Sequence, residues 1–455
     1  MQRISAILVM CILTSLGLSA QSYKPPPYQK FKLKKGLTVY LMEQHEVPAI
    51  SVSVILPAGA IYDGEKSGLA SLTSAALKHG TKNYTKEKLD NELDFLGASI
   101  TASASKESAG LSARMAAKDQ DKVLNLLKEI LLEPTFDTAQ FEKEKKRLLV
   151  SLEQQKESPR SVIGSYFDKF LYGDHVYGNM VQGRISTVTP LTADDIRKFY
   201  TENYLPEGSA MAVAGDFKTA EMKTRITDLF SGWKKETKPQ ANLASKPISR
   251  LDKQQVLLVN KDDAKETTFY IGAPGISRNN PDFVAVDVIN TLFGGRFTSM
   301  LNDELRVNTG LTYGASSRFS ALKNGGSFVI STFTEGKTTE PAIDKALEVL
   351  NKLHKDGIDE KSLTSARNYV KGQFPPRYET AGQLAGLMTQ MFWYNFEKNV
   401  DGLTLDKAKE IIARYFPKDK LQFVLVGKAA DIKKIAEKYG PVTEVQIKEE
   451  VKKGF

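Results

Sequence analysis

Cysteine occurs once in this chain of 455 residues, at Cys11. No disulfide can therefore form within it, and beyond that position thiol nucleophiles and cysteine-bound metals are excluded. Histidine is nearly as scarce. His45, His79, His175 and His354 are the four present, and no two stand at the i, i+4 spacing that puts a pair of imidazoles on one helical face around a metal. After the N-terminus no apolar run is long enough to cross a membrane, and no Gly-x-Ser-x-Gly nucleophile elbow occurs. Ser103 and Lys106 have the Ser-x-x-Lys spacing of serine acylases, but the Ser-Asp-Asn and Lys-Thr-Gly partners of that chemistry are missing. Neither sign of charge dominates. The formal net charge is +9, from 63 Lys and Arg against 54 Asp and Glu, and the lysines are scattered through amphipathic helices, which reads as a solvated surface. No motif supports nucleic-acid binding.

What is present is an ordinary globular composition, 41% hydrophobic and 26% charged, behind a distinctive N-terminus. Residues 1–20 open with Arg3, run through an apolar stretch and end in Ser19 and Ala20, the build of a secretory signal peptide. Cys11 sits inside that segment, where a lipobox is poorly matched. The reading is export to the periplasm of a Gram-negative bacterium as a soluble protein of 21–455, with a net charge of +8 once Arg3 is removed.

Residues 49–56, AISVSVIL, are β-branched and read as a strand. Helices are expected over 68–79, 85–96, 119–132 and 138–157, with His79 and a left-handed Gly80 closing the first and Ser158-Pro159 stopping the last. The polar run 234–247 has the composition of a linker. It divides the body into 21–233 and 248–455, and a repeat supports the division. The pattern from Leu191 to Phe217 returns from Leu403 to Ala429; Leu191 and Leu403 are 212 positions apart, as are Gly215 and Gly427. An α+β fold of two homologous halves, mixed and mostly antiparallel sheets with helices packed on them, forms the expected half-shell.

The segment GLASLTSAALKHGT, 68–81, resembles the metal-binding helix of the pitrilysin and insulinase type of zinc peptidase, an inverted His-x-x-Glu-His arrangement. The resemblance places Ser71 and Ala75 at the two histidines and Ser74 at the glutamate that activates water. A second stretch, FEKEKKRLLVSLEQQKESP from Phe141 to Pro159, resembles the region of the third ligand and places Ser151 there. A complete set of lost ligands implies an abandoned zinc site, with no metal in this chain.

In the other half NTLFGGRFTSMLNDELRVNTGLTYGASSRF, from Asn290 to Phe319, resembles the stretch through which two-subunit members supply an arginine and a tyrosine to the catalytic chamber. Arg306 and Tyr313 match that pair; Val307 and Asn308-Thr309 depart from the usual residues beside it. Taken alone, Gly294-Gly295 is a tight backbone turn into a helix near Thr298, Arg306 a helix-surface charge and Tyr313 a core or strand residue. With the resemblance, Gly294, Gly295, Arg296 and Phe297 are assigned to substrate binding. The aromatic cluster Phe392-Trp-Tyr-Asn-Phe396 reads as core or subunit contact. The implied function is the zinc-free subunit of a heterodimeric metallopeptidase acting on unstructured peptides, with zinc in a homologous His-x-x-Glu-His partner. The alternative is a catalytically silent peptide-binding or scaffold protein with the peptidase fold; on either reading the sequence leaves open whether the isolated chain pairs with itself.

Overall fold

The computed structural model describes residues 26–234, 243–246, 248, 252–373, 375–395 and 403–448. The segment 1–20 with its Cys11, most of the 234–247 linker, and Phe396 lie outside the described residues.

Two six-stranded sheets carry the fold, one in each half, so the architecture is α+β as the sequence implies. The first is built from β1 (Gln29–Lys32), β2 (Thr38–Glu43), β3 (Ala49–Leu56), β4 (Ser99–Ala104), β5 (Ala109–Ala116) and β6 (Ala210–Gly215), in the order β1-β2-β6-β3-β5-β4. The second takes β7 (Gln255–Asn260), β8 (Glu266–Pro274), β9 (Ser316–Leu322), β10 (Gly325–Glu335), β11 (Gln422–Gly427) and β12 (Val442–Gln446), in the order β12-β7-β11-β8-β10-β9. The two sheets are mixed alike at their centres, where β2 runs parallel to β6 and β7 to β11, while β6 meets β3, and β11 meets β8, antiparallel; they differ at one edge, where β1 is antiparallel to β2 but β12 is parallel to β7. Every residue of β6 and β11 is buried, as befits central strands covered on both faces.

Helices α1 (Leu69–Ala76), α2 (Lys86–Phe95), α3 (Gln120–Leu132), α4 (Thr138–Gln155), α5 (Pro159–Tyr172), α6 (Ala193–Asn203) and α7 (Thr219–Phe230) come from the first half. The second contributes α8 (Phe283–Asn290), α9 (Thr339–Asp356), α10 (Glu360–Gly372), α11 (Ala381–Tyr394), α12 (Leu405–Tyr415) and α13 (Ala429–Ala436). Thr85 and Asp137 cap α2 and α4 by accepting from the backbone amides of Lys88 and Gln140. Helix α4 stops at Gln155, two residues short of the expected end, and Pro159 does more than block it: with its φ preset and its missing N–H harmless in a first turn, it opens α5. The first helix also ends earlier than expected, at Ala76, so Gly80 is not its cap. Its φ of 134° belongs to an isolated bridge with Thr85.

The halves exchange a helix. The apolar face of α5, with Val162, Ile163, Phe167 and Phe170, lies on the second sheet against Leu257, Val259, Val329 and Val424. Reciprocally, Leu384, Ala385, Leu387 and Met388 of α11 cover Tyr40, Met42, Ala210, Ala212 and Ala214 of the first sheet. Trp393 is buried at the end of α11 under the Lys323 ammonium, 3.3 Å from its ring centroid. Between the halves the buried Glu107 carboxylate accepts from the Tyr177 hydroxyl at 2.5 Å and from the Lys323 backbone amide at 3.1 Å, joining the β4–β5 turn to the β9–β10 turn.

His45, in the β2–β3 turn, presents Nδ1 to Asp216 at 2.6 Å and Nε2 to Glu43 at 2.9 Å. Both nitrogens can donate only when the ring is charged, so the bond to Asp216, then that to Glu43, raises its pKa above 6.5. A raised folded pKa contributes stability that is fully present below the unfolded value and is lost as pH climbs through the folded one. His45→Ala should therefore lower the melting temperature more at pH 6 than at pH 9; an equal drop at both would contradict the charged bridge.

Candidate functional site

Helix α1 is held from outside itself. The buried Asp63 carboxylate accepts from the amides of Gly68 and Ala70, both at 2.8 Å, and so satisfies donors that the first turn leaves open. Gly68 has a φ of 101° and lies so close to the 182–188 segment that a Cβ there would meet Gln182 O at 2.9 Å. The Ser67 hydroxyl donates to Met180 O at 2.7 Å, and the Thr187 hydroxyl returns a bond to Ser67 O at 2.7 Å. Leu69, Ala70, Leu72, Thr73 and Ala76 face the core.

The positions that the resemblance assigns to a metal site sit on this helix and on its neighbour α4. Ser71 and Ala75 are half-buried and Ser151 is exposed. Gln155 donates to Gln182 Oε1 at 3.0 Å and approaches Ser151 Oγ only at 3.5 Å. Ser74, 1% exposed, shares a hydrogen bond of 2.8 Å with the buried Tyr204 hydroxyl at the end of α6. Zinc needs imidazole, thiolate or carboxylate donors at about 2.0–2.3 Å. Here it would find a methyl group and hydroxyls, one of them already engaged in the core, so these residues do not fit the metal.

The histidines do not substitute. His45 is bound to two carboxylates; His175 accepts from the Tyr177 amide through Nδ1 and meets Lys246 O through Nε2, and His354 Nε2 lies 2.9 Å from Phe416 O. His79 is buried beside α1, and burial lowers its pKa. Among the described residues no group of three or more His, Cys, Asp or Glu side chains is placed to hold a metal ion.

In the second half, α8 runs into a π-helical turn over Thr291–Gly295. Gly294 is buried, and a Cβ there would come within 2.4 Å of the Ser317 amide, so this glycine serves close packing on β9. Asn290 reinforces the same junction, donating to Ser317 O at 3.1 Å and accepting from the Ser317 hydroxyl at 2.6 Å. Gly295 is exposed. Arg296 is tied down within the chain: its guanidinium donates to Ser365 Oγ at 3.0 Å and Thr298 O at 3.3 Å, above the Tyr369 ring. It is therefore less available to a ligand than the sequence suggests.

Phe297 is 65% exposed and carries the Arg306 guanidinium over its ring at 4.8 Å. A helix does begin near Thr298, at Met300 with Ser299 as its cap, and passes into a second π-helical turn over Asp303–Asn308 that presents Arg306 and the exposed Val307. Such turns recur at functional sites. Tyr313 is 82% exposed, not a core residue. Its loop is pinned from β10, where the Thr334 hydroxyl donates to Leu311 O at 2.6 Å and the Thr332 hydroxyl to Gly314 O at 2.8 Å.

The structure thus brings Phe297 and Arg306 together and displays Tyr313 on an adjoining anchored loop, whereas Ser71, Ser74, Ala75 and Ser151 lie in the other half. Sequence reading passes over Asn302, since an asparagine among acidic helical residues carries no chemical signature. Its amide nonetheless joins the two segments of the site, donating to Phe297 O at 2.7 Å and accepting from the Ala315 amide at 3.3 Å.

Comparison with known proteins agrees with the two-sheet α+β fold. Residues 38–183 match the family described as Insulinase (Peptidase family M16), and residues 190–370 match that described as Peptidase M16 inactive domain. The uncharacterized zinc protease YmxG of Bacillus subtilis is 22% identical over 76% of this chain and 83% of its own length. The non-peptidase homolog YmxG of Helicobacter pylori is 22% identical over 87% of this chain and 90% of its own. Among solved structures, a peptidase M16 inactive domain from Pseudomonas fluorescens aligns with a TM-score of 0.81 at 24% identity, covering 88% of this chain and 98% of that one. A protease from Helicobacter pylori gives the same TM-score at 21% identity. At such identities the likeness to solved structures is one of fold.

Proposed function

Because this chain belongs to the insulinase family of peptidases, we propose that it is the subunit of a two-chain peptidase that holds no zinc itself and works beside a homologous chain bearing the full His-x-x-Glu-His set. The observation that carries this reading is the exposed Arg306, lying over Phe297, with an exposed Tyr313 seven residues on, in a chain whose own metal-site positions offer no ligand. Such exposed side chains contribute little to folding and are accessible to a ligand.

The chemistry available to the pair is binding and charge stabilisation. Two N–H groups of a guanidinium can converge on the single oxygen of a peptide carbonyl, and a guanidinium or phenol aimed at an oxygen that becomes negative is worth a few kcal/mol in a dry site. Neither is a nucleophile. The partner's zinc would supply the activated water; this chain orients an extended, unstructured peptide and meets the charge that develops on its carbonyl oxygen. Export to a Gram-negative periplasm, on the strength of residues 1–20, completes the proposal.

Reconstitution tests it. The isolated chain should retain no stoichiometric zinc after dialysis against trace metal and should leave unstructured peptides intact. Adding a homologous His-x-x-Glu-His chain should produce a stable complex with chelator-sensitive cleavage. If the complex forms and cleaves no faster than the partner alone, the scaffold reading replaces this one; chelator-insensitive cleavage by the isolated chain would refute both.

A further inference from the structure

Arg306 and Tyr313 sit on segments that nothing in their own side chains holds at a fixed separation. An arginine on a surface turn carries about 2 kcal/mol of rotamer entropy, which an unrestrained side chain must give up each time it engages a peptide. Two features remove that freedom. The Phe297 ring lies under the guanidinium at 4.8 Å and limits where it can swing. Asn302, 4% exposed, then fixes the Phe297 backbone to the far segment: Nδ2 donates to Phe297 O at 2.7 Å and Oδ1 accepts from Ala315 N at 3.3 Å, two residues beyond Tyr313. Among side chains of this length only asparagine offers a donor and an acceptor in one plane; aspartate lacks the donor and leucine lacks both.

We propose that Asn302 and Phe297 are positioning residues that hold Arg306 and Tyr313 at the one spacing a bound peptide carbonyl requires. The proposal rests on the reading of Arg306 and Tyr313 as the peptide-facing pair. Asn302 lies at the head of the π-helical turn that carries Arg306 and is bonded to both flanking segments, so a shift of its amide disturbs the Phe297 support of the guanidinium and the end of the Tyr313 loop together. Misplacement of a positioned group by about 1 Å is enough to slow turnover by as much as about a hundredfold.

The experiment uses the reconstituted two-chain complex with a fluorogenic unstructured peptide, measuring kcat, KM and melting temperature for Asn302→Asp, Phe297→Leu and Arg306→Ala, and for the first two again in an Arg306→Ala, Tyr313→Phe background. Phe297 is largely solvent-exposed, so its replacement leaves folding intact. Asn302→Asp should lower kcat by roughly ten- to a hundredfold and Phe297→Leu by about two- to fivefold, with KM moved less than twofold. Both effects should vanish in the doubly substituted background. If they persist there in full, the two residues act through stability and the proposal is overturned. If Arg306→Ala is slow while Asn302→Asp and Phe297→Leu cleave at the wild-type rate, positioning is refuted and the role of Arg306 stands. If Arg306→Ala itself cleaves normally, the reading of the pair falls and takes this inference with it.

Discussion

Phe167→Ala is expected to destabilise the protein by about 3–5 kcal/mol, the range for deleting a fully buried ring, and to weaken both halves at once. Phe167 is 1% exposed and belongs by sequence to the first half, but its ring lies on the second sheet, in T-shaped contact with Tyr270 at 5.8 Å. The fit is tight enough that a Cβ on Gly272 would come within 2.7 Å of the ring and 2.1 Å of Phe328 O. Gly272→Ala therefore cannot fill the cavity left by the smaller side chain, because the backbone carbonyl blocks it. Since α5 is covalently part of one half and packed on the other, unfolding by heat or denaturant should remain a single shifted transition for the variant. A second transition left at the wild-type midpoint would mean that the exchanged helix does not couple the halves.

Arg306→Ala in the reconstituted complex should lower kcat/KM by roughly ten- to a thousandfold, the range for removing one donor to a developing oxyanion, and Tyr313→Phe should fall in the same range. Stability should hardly change. Tyr313 is 82% exposed, and Arg306 rests on a ring that is itself exposed, so neither substitution opens a cavity in the core. Gel filtration separates loss of assembly from loss of turnover. Wild-type cleavage by both variants in an intact complex would remove the pair from the mechanism.

Much of the fold was legible because its loudest elements are locally patterned. The 212-residue offset noted in the sequence recurs in the element bounds: Ala193–Asn203 and Leu405–Tyr415 are the same helix, and Ala210–Gly215 and Gln422–Gly427 the same buried strand, each separated by that distance. Amphipathic helices with a threonine cap and strands buried on both faces announce themselves without tertiary information. The exchange of α5 and α11 did not, since periodicity tells that a helix has an apolar face and nothing about which sheet receives it.

The candidate site divides in the same way. That Ser71, Ser74, Ala75 and Ser151 carry no imidazole or carboxylate is a statement about residue types and needs only the sequence. The Ser74 bond to Tyr204 needed the fold, because the partners are 130 residues apart. Phe297 and Arg306 stand nine positions apart across a helical turn of irregular pitch, so no regular spacing would have paired them. Gly294 and Arg296 read as ligand contacts by their position in the stretch, whereas packing on Ser317 and the bond to Ser365 give them structural work.

The reciprocal helix exchange also sets an order of events in folding. All six strands of the first sheet lie within the first 215 residues, yet the face bearing Tyr40, Met42 and Ala212 is covered by Ala381–Tyr394, from near the other end of the chain. A first half that folds ahead of the second therefore displays a greasy sheet surface until that helix docks, and such transiently exposed apolar surface is where a folding chain is open to association with its own copies.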